Sequence, residues 1–128
     1  MVLTKDVNEI IQKFDFCDSI VTDIRWDLNC FDLLLTVFYF WDEYKDKDLL
    51  VRFRYCKNFS FTLPSCIESF PKHGIEENMS AYRIGWFTPI GVDYEIQGKD
   101  IIVKIDTGND PRPWIKLTCE EIWIEYIE

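Results

Sequence analysis

The run Phe31-Asp32-Leu33-Leu34-Leu35-Thr36-Val37-Phe38-Tyr39-Phe40-Trp41 is apolar at nearly every position. Its apolar part, Leu33 to Trp41, is about half of the roughly 20 residues a helix needs to span a bilayer. It therefore reads as a core strand rather than a membrane anchor. In an extended chain successive side chains point to opposite sides, which sends Leu33, Leu35, Val37 and Tyr39 one way and Leu34, Phe38 and Phe40 the other. A strand apolar on both faces must be covered on both.

Downstream, the charged stretch Asp42-Glu43-Tyr44-Lys45-Asp46-Lys47-Asp48 predicts a hairpin connection. Leu49, Val51, Phe53 and Tyr55 then alternate with Leu50, Arg52 and Arg54, as an antiparallel neighbour would, and Phe59, Phe61 and Leu63 carry an extended pattern to Pro64. Upstream, Ile20, Thr22, Ile24 and Trp26 alternate with Val21, Asp23, Arg25 and Asp27, which predicts a half-buried strand, and Asp27-Leu28-Asn29-Cys30 predicts a tight turn. Between Thr4 and Phe14 the period changes. Val7, Ile10, Ile11 and Phe14 follow the spacing of one helical face, with Asp6 and Glu9, or Thr4, as capping residues. Packed on the apolar strand, this helix would cover Leu34, Phe38 and Phe40.

The stretch Ser65 to Asn78 is the least regular and holds the breakers Pro71 and Gly74. Alternation returns in Ser80, Tyr82, Ile84 and Trp86, in Val92, Tyr94 and Ile96, and, after a Gly98-Lys99 turn, in Ile101, Val103 and Ile105. Ile115, Leu117 and Cys119 restart one residue out of phase as Ile122, Ile124 and Tyr126, which predicts a bulge near Glu120. The sequence thus predicts a mainly β (α+β) single domain over residues 1–128, with a helix at 4–14 and a β region at 19–127. The expected architecture is an antiparallel sandwich or open barrel of about seven or eight strands with one N-terminal amphipathic helix.

Composition narrows the function. The chain has 128 residues, and its 14 Lys plus Arg against 23 Asp plus Glu give a net charge of -9. Binding to nucleic-acid phosphates draws on Lys and Arg, and an anionic membrane surface repels a chain of this sign, so neither is an expected partner. The only histidine is His73, which excludes a multi-histidine metal site. Cys17, Cys30, Cys56, Cys66 and Cys119 are odd in number and form no CxxC pair, a pattern of reduced thiols rather than of a disulfide framework or thiolate zinc site. Cys66 and His73 share the irregular stretch but carry no nucleophile signature. Phosphate-cradling glycine motifs are missing as well. The expectation is no catalytic residue, no metal and no cofactor. The first residues lack the basic and apolar regions of a secretory signal, so a cytoplasmic location is expected.

The acids are unevenly placed. Residues 1–32 carry seven acids against three bases, and residues 114–128 carry four against one, which together hold -7 of the -9. If the two termini adjoin, an acidic face results that would steer a basic partner. The candidate contact residues are Asp23, Asp27, Glu120, Glu121 and Glu125, with Asp42, Glu43, Asp46 and Asp48 as a second patch. In the Pro-stiffened loop 108–113, Arg112 and the adjoining Trp114 are candidate anchors. An alternative is a carbohydrate or small-ligand site in which Trp41, Trp86, Trp114 and Trp123 form a stacking platform.

A helix followed by strands ending in Ile24-Arg25-Trp26-Asp27 and containing Asp32-Leu33-Leu34-Leu35-Thr36-Val37-Phe38-Tyr39, Leu50-Val51-Arg52-Phe53-Arg54-Tyr55-Cys56 and Cys119-Glu120-Glu121-Ile122-Trp123-Ile124-Glu125 resembles small bacterial β-rich proteins. Some of these are similar to immunity proteins of polymorphic toxin systems. The resemblance implies a non-enzymatic protein-binding module, an inhibitor whose acids engage a basic toxin domain. It assigns no individual residue a role.

Overall fold

The computed structural model describes residues 2–29, 31–62, 89–107 and 114–127. The expected strand at 80–86 with Trp86, the irregular stretch 65–78 with Cys66 and His73, and the loop 108–113 with Arg112 lie outside the described residues.

Among the described residues, nine strands and one helix follow in the order β1 Val2–Thr4, α1 Val7–Lys13, β2 Ile20–Trp26, β3 Leu33–Phe38, β4 Asp48–Arg54, β5 Lys57–Phe61, β6 Pro89–Gln97, β7 Asp100–Thr107, β8 Ile115–Cys119 and β9 Glu121–Tyr126. A 3-10 turn at Asp42–Tyr44 lies within the β3–β4 connection. The strands form a five-stranded sheet in the order β1-β9-β4-β3-β2 and a four-stranded sheet in the order β5-β8-β7-β6. All pairs are antiparallel. The mainly β sandwich expected from the alternating segments is the observed architecture, with one short helix added.

The core lies between the sheets. Leu33, Leu35, Val37 and Tyr39 point into it beside Val51, Ile122 and Ile124 from the same sheet, and meet Val103, Ile105, Ile115 and Leu117 from the other. Period-two alternation sorts these residues to one side of each strand, and burying both inner faces together removes the apolar surface from water. Asp6 caps α1, its carboxylate accepting the Asn8 N–H at 2.9 Å. The helix is shorter than the 4–14 predicted because Thr4 belongs to β1, opposite Ile124 of β9. Three residues are too few to register as a period, so β1 is not legible in the sequence.

Three expectations are corrected. The helix does not cover the outer side of β3: α1 sends Ile10 into the core between the sheets, and Phe38 and Phe40 remain 40% and 43% exposed. Leu34 is buried all the same, flanked on the neighbouring strands by Arg25 and Arg52, whose long stems shield apolar surface. The faces of β2 are also mixed along its length. A register shift between Val21 and Asp23 puts Val21 in the core and leaves Thr22 as the extra residue, so the inward set is Val21, Ile24 and Trp26 rather than one unbroken series. Finally, the slip at Glu120 is not a bulge within one strand. It is the corner where the chain leaves the four-stranded sheet as β8 and enters the five-stranded sheet as β9. Its neighbour turns the same corner at Tyr55 and Cys56, between β4 and β5, and the Glu120 N–H donates to the Arg54 carbonyl at 3.0 Å. Strands that pass between sheets in this way make the closed corners of a sandwich.

Among the described residues no helix is long and apolar enough to cross a membrane.

Candidate functional site

The outer face of the five-stranded sheet gathers the charged residues of three strands. Asp23, Arg25 and Asp27 alternate along β2 and its end, Arg52 and Arg54 along β4, and Glu121, Trp123 and Glu125 along β9. Register then sets Arg25, Leu34, Arg52 and Trp123 in one row and Asp23, Thr36, Leu50 and Glu125 in the next. Four of the five first-choice acids, Asp23, Asp27, Glu121 and Glu125, are thereby brought to one face. The termini do adjoin, through β1 and β9.

Arg52 organises this face. Its Nη1 reaches Asp27 Oδ2 at 2.6 Å and Asp32 Oδ2 at 3.4 Å, and its Nε reaches Glu125 Oε2 at 3.0 Å. Burial draws the Arg52 pKa down, but hydrogen bonds to Glu125 and Asp27 outweigh it and hold the guanidinium more firmly charged. The Arg52 hydrogen bond is the main reason Asp27 titrates below the ordinary carboxylate range, with the Leu28 N–H assisting. Asp32 is only 2% exposed and also accepts the Tyr55 N–H at 3.2 Å.

Arg54 is held differently. Its guanidinium lies over Trp123 at 4.5 Å and over Tyr55 at 4.9 Å. Its Nε stands 3.3 Å from Asp32 Oδ2, yet makes no hydrogen bond. Lys5 sits over the Trp123 ring at 3.9 Å, and the Trp123 Nε1–H donates to Glu121 at 2.8 Å. Arg25 pairs with Asp23 at 2.6 Å. Most of the face's acids therefore meet the protein's own cations. Trp123, whose ring faces cations, differs from the bare platform that sugar stacking requires.

Beside this network the β2–β3 turn presents Leu28, fully exposed, and Phe31, 62% exposed. The turn is tied down by its own side chains. Asn29 Oδ1 accepts the N–H groups of Phe31 and Asp32 at 2.9 and 3.2 Å, and the Asp27 N–H donates to the Asp32 carbonyl at 2.9 Å.

The other candidates scatter. Glu120 sits at the sheet corner and pairs with Lys99 at 3.3 Å. Asp42 and Glu43 lie on the 3-10 turn, Asp46 lies further along the same connection with φ of 63°, and Asp48 opens β4. Trp114 is a core residue, 1% exposed and edge-on to Phe61 at 5.6 Å, so it is not a surface anchor. Trp41 is half-buried, and its Nε1–H donates to the Cys17 carbonyl at 2.7 Å.

No protein-family model matches the sequence, and a search of curated proteins gives no match either. What can be argued about function therefore comes from the surface itself.

Burial pushes the Cys119 thiol up to about 12 and the Cys56 thiol up to about 11, and it raises Cys17 as well. That direction is opposite to the one that activates a nucleophile. Among the described residues no group of three or more His, Cys, Asp or Glu is placed to hold a metal ion. The sequence reading missed Arg52, Arg54, Asp32 and Lys5 as parts of the face. The two arginines alternate visibly in the sequence, but only the pairing of β4 with β9 sets them beside Glu121 and Glu125.

Proposed function

We propose that the protein is a non-enzymatic binding module that docks a basic protein partner on the outer face of the five-stranded sheet. The partner we infer is a toxin domain, neutralised in the cytoplasm in the manner of immunity proteins. The observation that carries this reading is the open sheet face itself. It gathers Arg54, Trp123 and Tyr55, residue types that dominate interface energies, beside the rigid turn that displays Leu28 and Phe31. Asp23, Asp27, Glu121 and Glu125 surround them. Because Asp23, Asp27 and Glu125 are paired with Arg25 and Arg52, and Glu121 accepts from Trp123, the net charge of -9 acts mainly at a distance, raising the rate at which a basic partner arrives. The aromatic and apolar groups then supply the contact energy, and their fixed placement lowers the cost of ordering on binding.

The test starts from the genes beside this one. Where a toxin domain is encoded there, co-expression should protect cells, and the purified pair should associate more slowly as salt rises. Trp123→Ala and Leu28→Asp should each weaken binding at least about tenfold, with a substitution at Glu95 on the other sheet as the control. A toxin that binds both variants as tightly as it binds the original chain would rule the face out.

A further inference from the structure

An open hollow of about 610 Å³ lies between α1 and the β3–β4 connection, well apart in residues from the sheet face. Its walls are Phe14, Tyr39 and Tyr44, and its acids are Glu9, Asp42 and Glu43. Volumes of about 300 to 1,000 Å³ are usual for sites that enclose a small group. The rings form one cluster, Phe14 stacking on Tyr44 with centroids 6.0 Å apart and meeting Tyr39 at 6.0 Å and a 58° tilt.

Charge in the hollow is unbalanced. Among the described residues its single lining base, Lys13, is 3.5 Å from Glu9, whereas Asp42 and Glu43 have no ion-pair partner. Tyr39 adds an independent observation. It is 1% exposed, its hydroxyl accepts the Asp15 N–H at 2.8 Å, and no acceptor for its own proton is found among the described residues. A buried hydroxyl normally spends both capacities. Burial, with Asp42 and Asp15 nearby, pushes its pKa up, so the phenol keeps that proton.

We propose that this hollow binds the cationic side chain of a basic protein segment. The alkyl stem and charge lie against Phe14 and Tyr44, since ring faces attract cations, and Asp42 and Glu43 receive the charged N–H groups, which make the stronger class of hydrogen bond. Tyr39 lines the hollow beside Phe14 and stays buried. This goes beyond the sheet-face reading and uses none of its residues.

The test is amide NMR mapping on the full chain, with n-butylammonium and n-butylguanidinium chloride as probes, 1-butanol as the neutral match, and sodium chloride as the ionic-strength control. Saturable shifts confined to residues 9–15 and 39–45 are expected with the cations and not with butanol. An acetyl-Gly-Lys-Gly-amide peptide should bind at least as tightly as the free amine. The double variant Asp42→Asn with Glu43→Gln, on an exposed turn where Asn tolerates the φ of 60° at residue 42, should weaken binding roughly tenfold or more. Trp123→Ala should leave probe binding unchanged, so failure of the sheet-face reading and failure of this one are separable. Equal shifts with butanol or sodium chloride, a peptide excluded where the free amine enters, or full binding by the double variant would each overturn the proposal.

Discussion

Arg52 is the one guanidinium shared by Asp27, Asp32 and Glu125, and it is mostly covered by them. Removing it leaves Asp27 and Glu125 without the cation that bridges them and takes one of two guanidinium neighbours from the almost fully buried Asp32. Arg52→Ala should therefore cost about 3 kcal/mol in urea unfolding. Arg52→Lys should recover only part of that, because an ammonium cannot bridge in two directions as the planar fork does. A cost below about 0.5 kcal/mol, the level of an exposed ion pair, would refute the shared role. The same bond sets a pH dependence. The folded pKa of Asp27 is depressed, so its contribution is complete above the unfolded value of about 3.9 and is lost as pH falls through the lower folded value. Asp27→Asn should be less stable than the original at neutral pH, and the gap should close below about pH 4. A constant gap down to acid would show that Asp27 carries no such linkage.

At the scale of elements, the β6–β7 turn isolates a backbone effect. Gly98 has a φ of +62°, and a Cβ built there would meet nothing within 4 Å. The cost of Gly98→Ala is then purely conformational, about 1 kcal/mol, and Gly98→Asn should cost visibly less because Asn enters this region more readily. Equal losses for the two variants would point to packing instead. Such a turn is legible in sequence, since glycine between alternating segments has a local signature. The shared face of Asp23, Arg25 and Asp27 with Glu121, Trp123 and Glu125 is half legible. Period two puts each trio on one side of its strand, but only the long-range order that sets β9 against β4 and β3 beside β2 joins them. Thr22 and Glu120 mark where local reading stops. Both are single-residue interruptions of the strands, yet one is a bulge within a sheet and the other a passage between sheets. The slip at Glu120 shows in the sequence, whereas Ile20, Thr22, Ile24 and Trp26 alternate without a break and conceal the bulge at Thr22.

Across the whole molecule, the N-terminal segment closes one side of the sandwich. β1 completes the edge at β9, and Ile10 enters the core beside Phe16 and Tyr39. Deleting residues 1–15 should lower stability by at least about 3 kcal/mol, the scale of losing a buried large side chain. It should also raise binding of a hydrophobic dye, because the β9 edge and the rings behind α1 are uncovered. An unchanged urea midpoint with no dye signal would contradict the packing described. The paired passage of β4–β5 and β8–β9 around one corner bears on how the molecule is made. β8 runs between β5 and β7, and β9 runs between β1 and β4, so residues 115–126 fill an interior lane of each sheet. While a ribosome is still translating the stretch before Trp114, neither sheet can close. Strands β1, β4, β5 and β7 wait with unpaired backbone facing the gap, a state open to mispairing with other chains. Completion then rests on contacts between residues far apart in the chain, which form slowly. Rapid synthesis followed by a delayed, all-at-once burial is the expected life history, and a stalled chain lacking residues 115–128 should be recovered in the aggregated fraction.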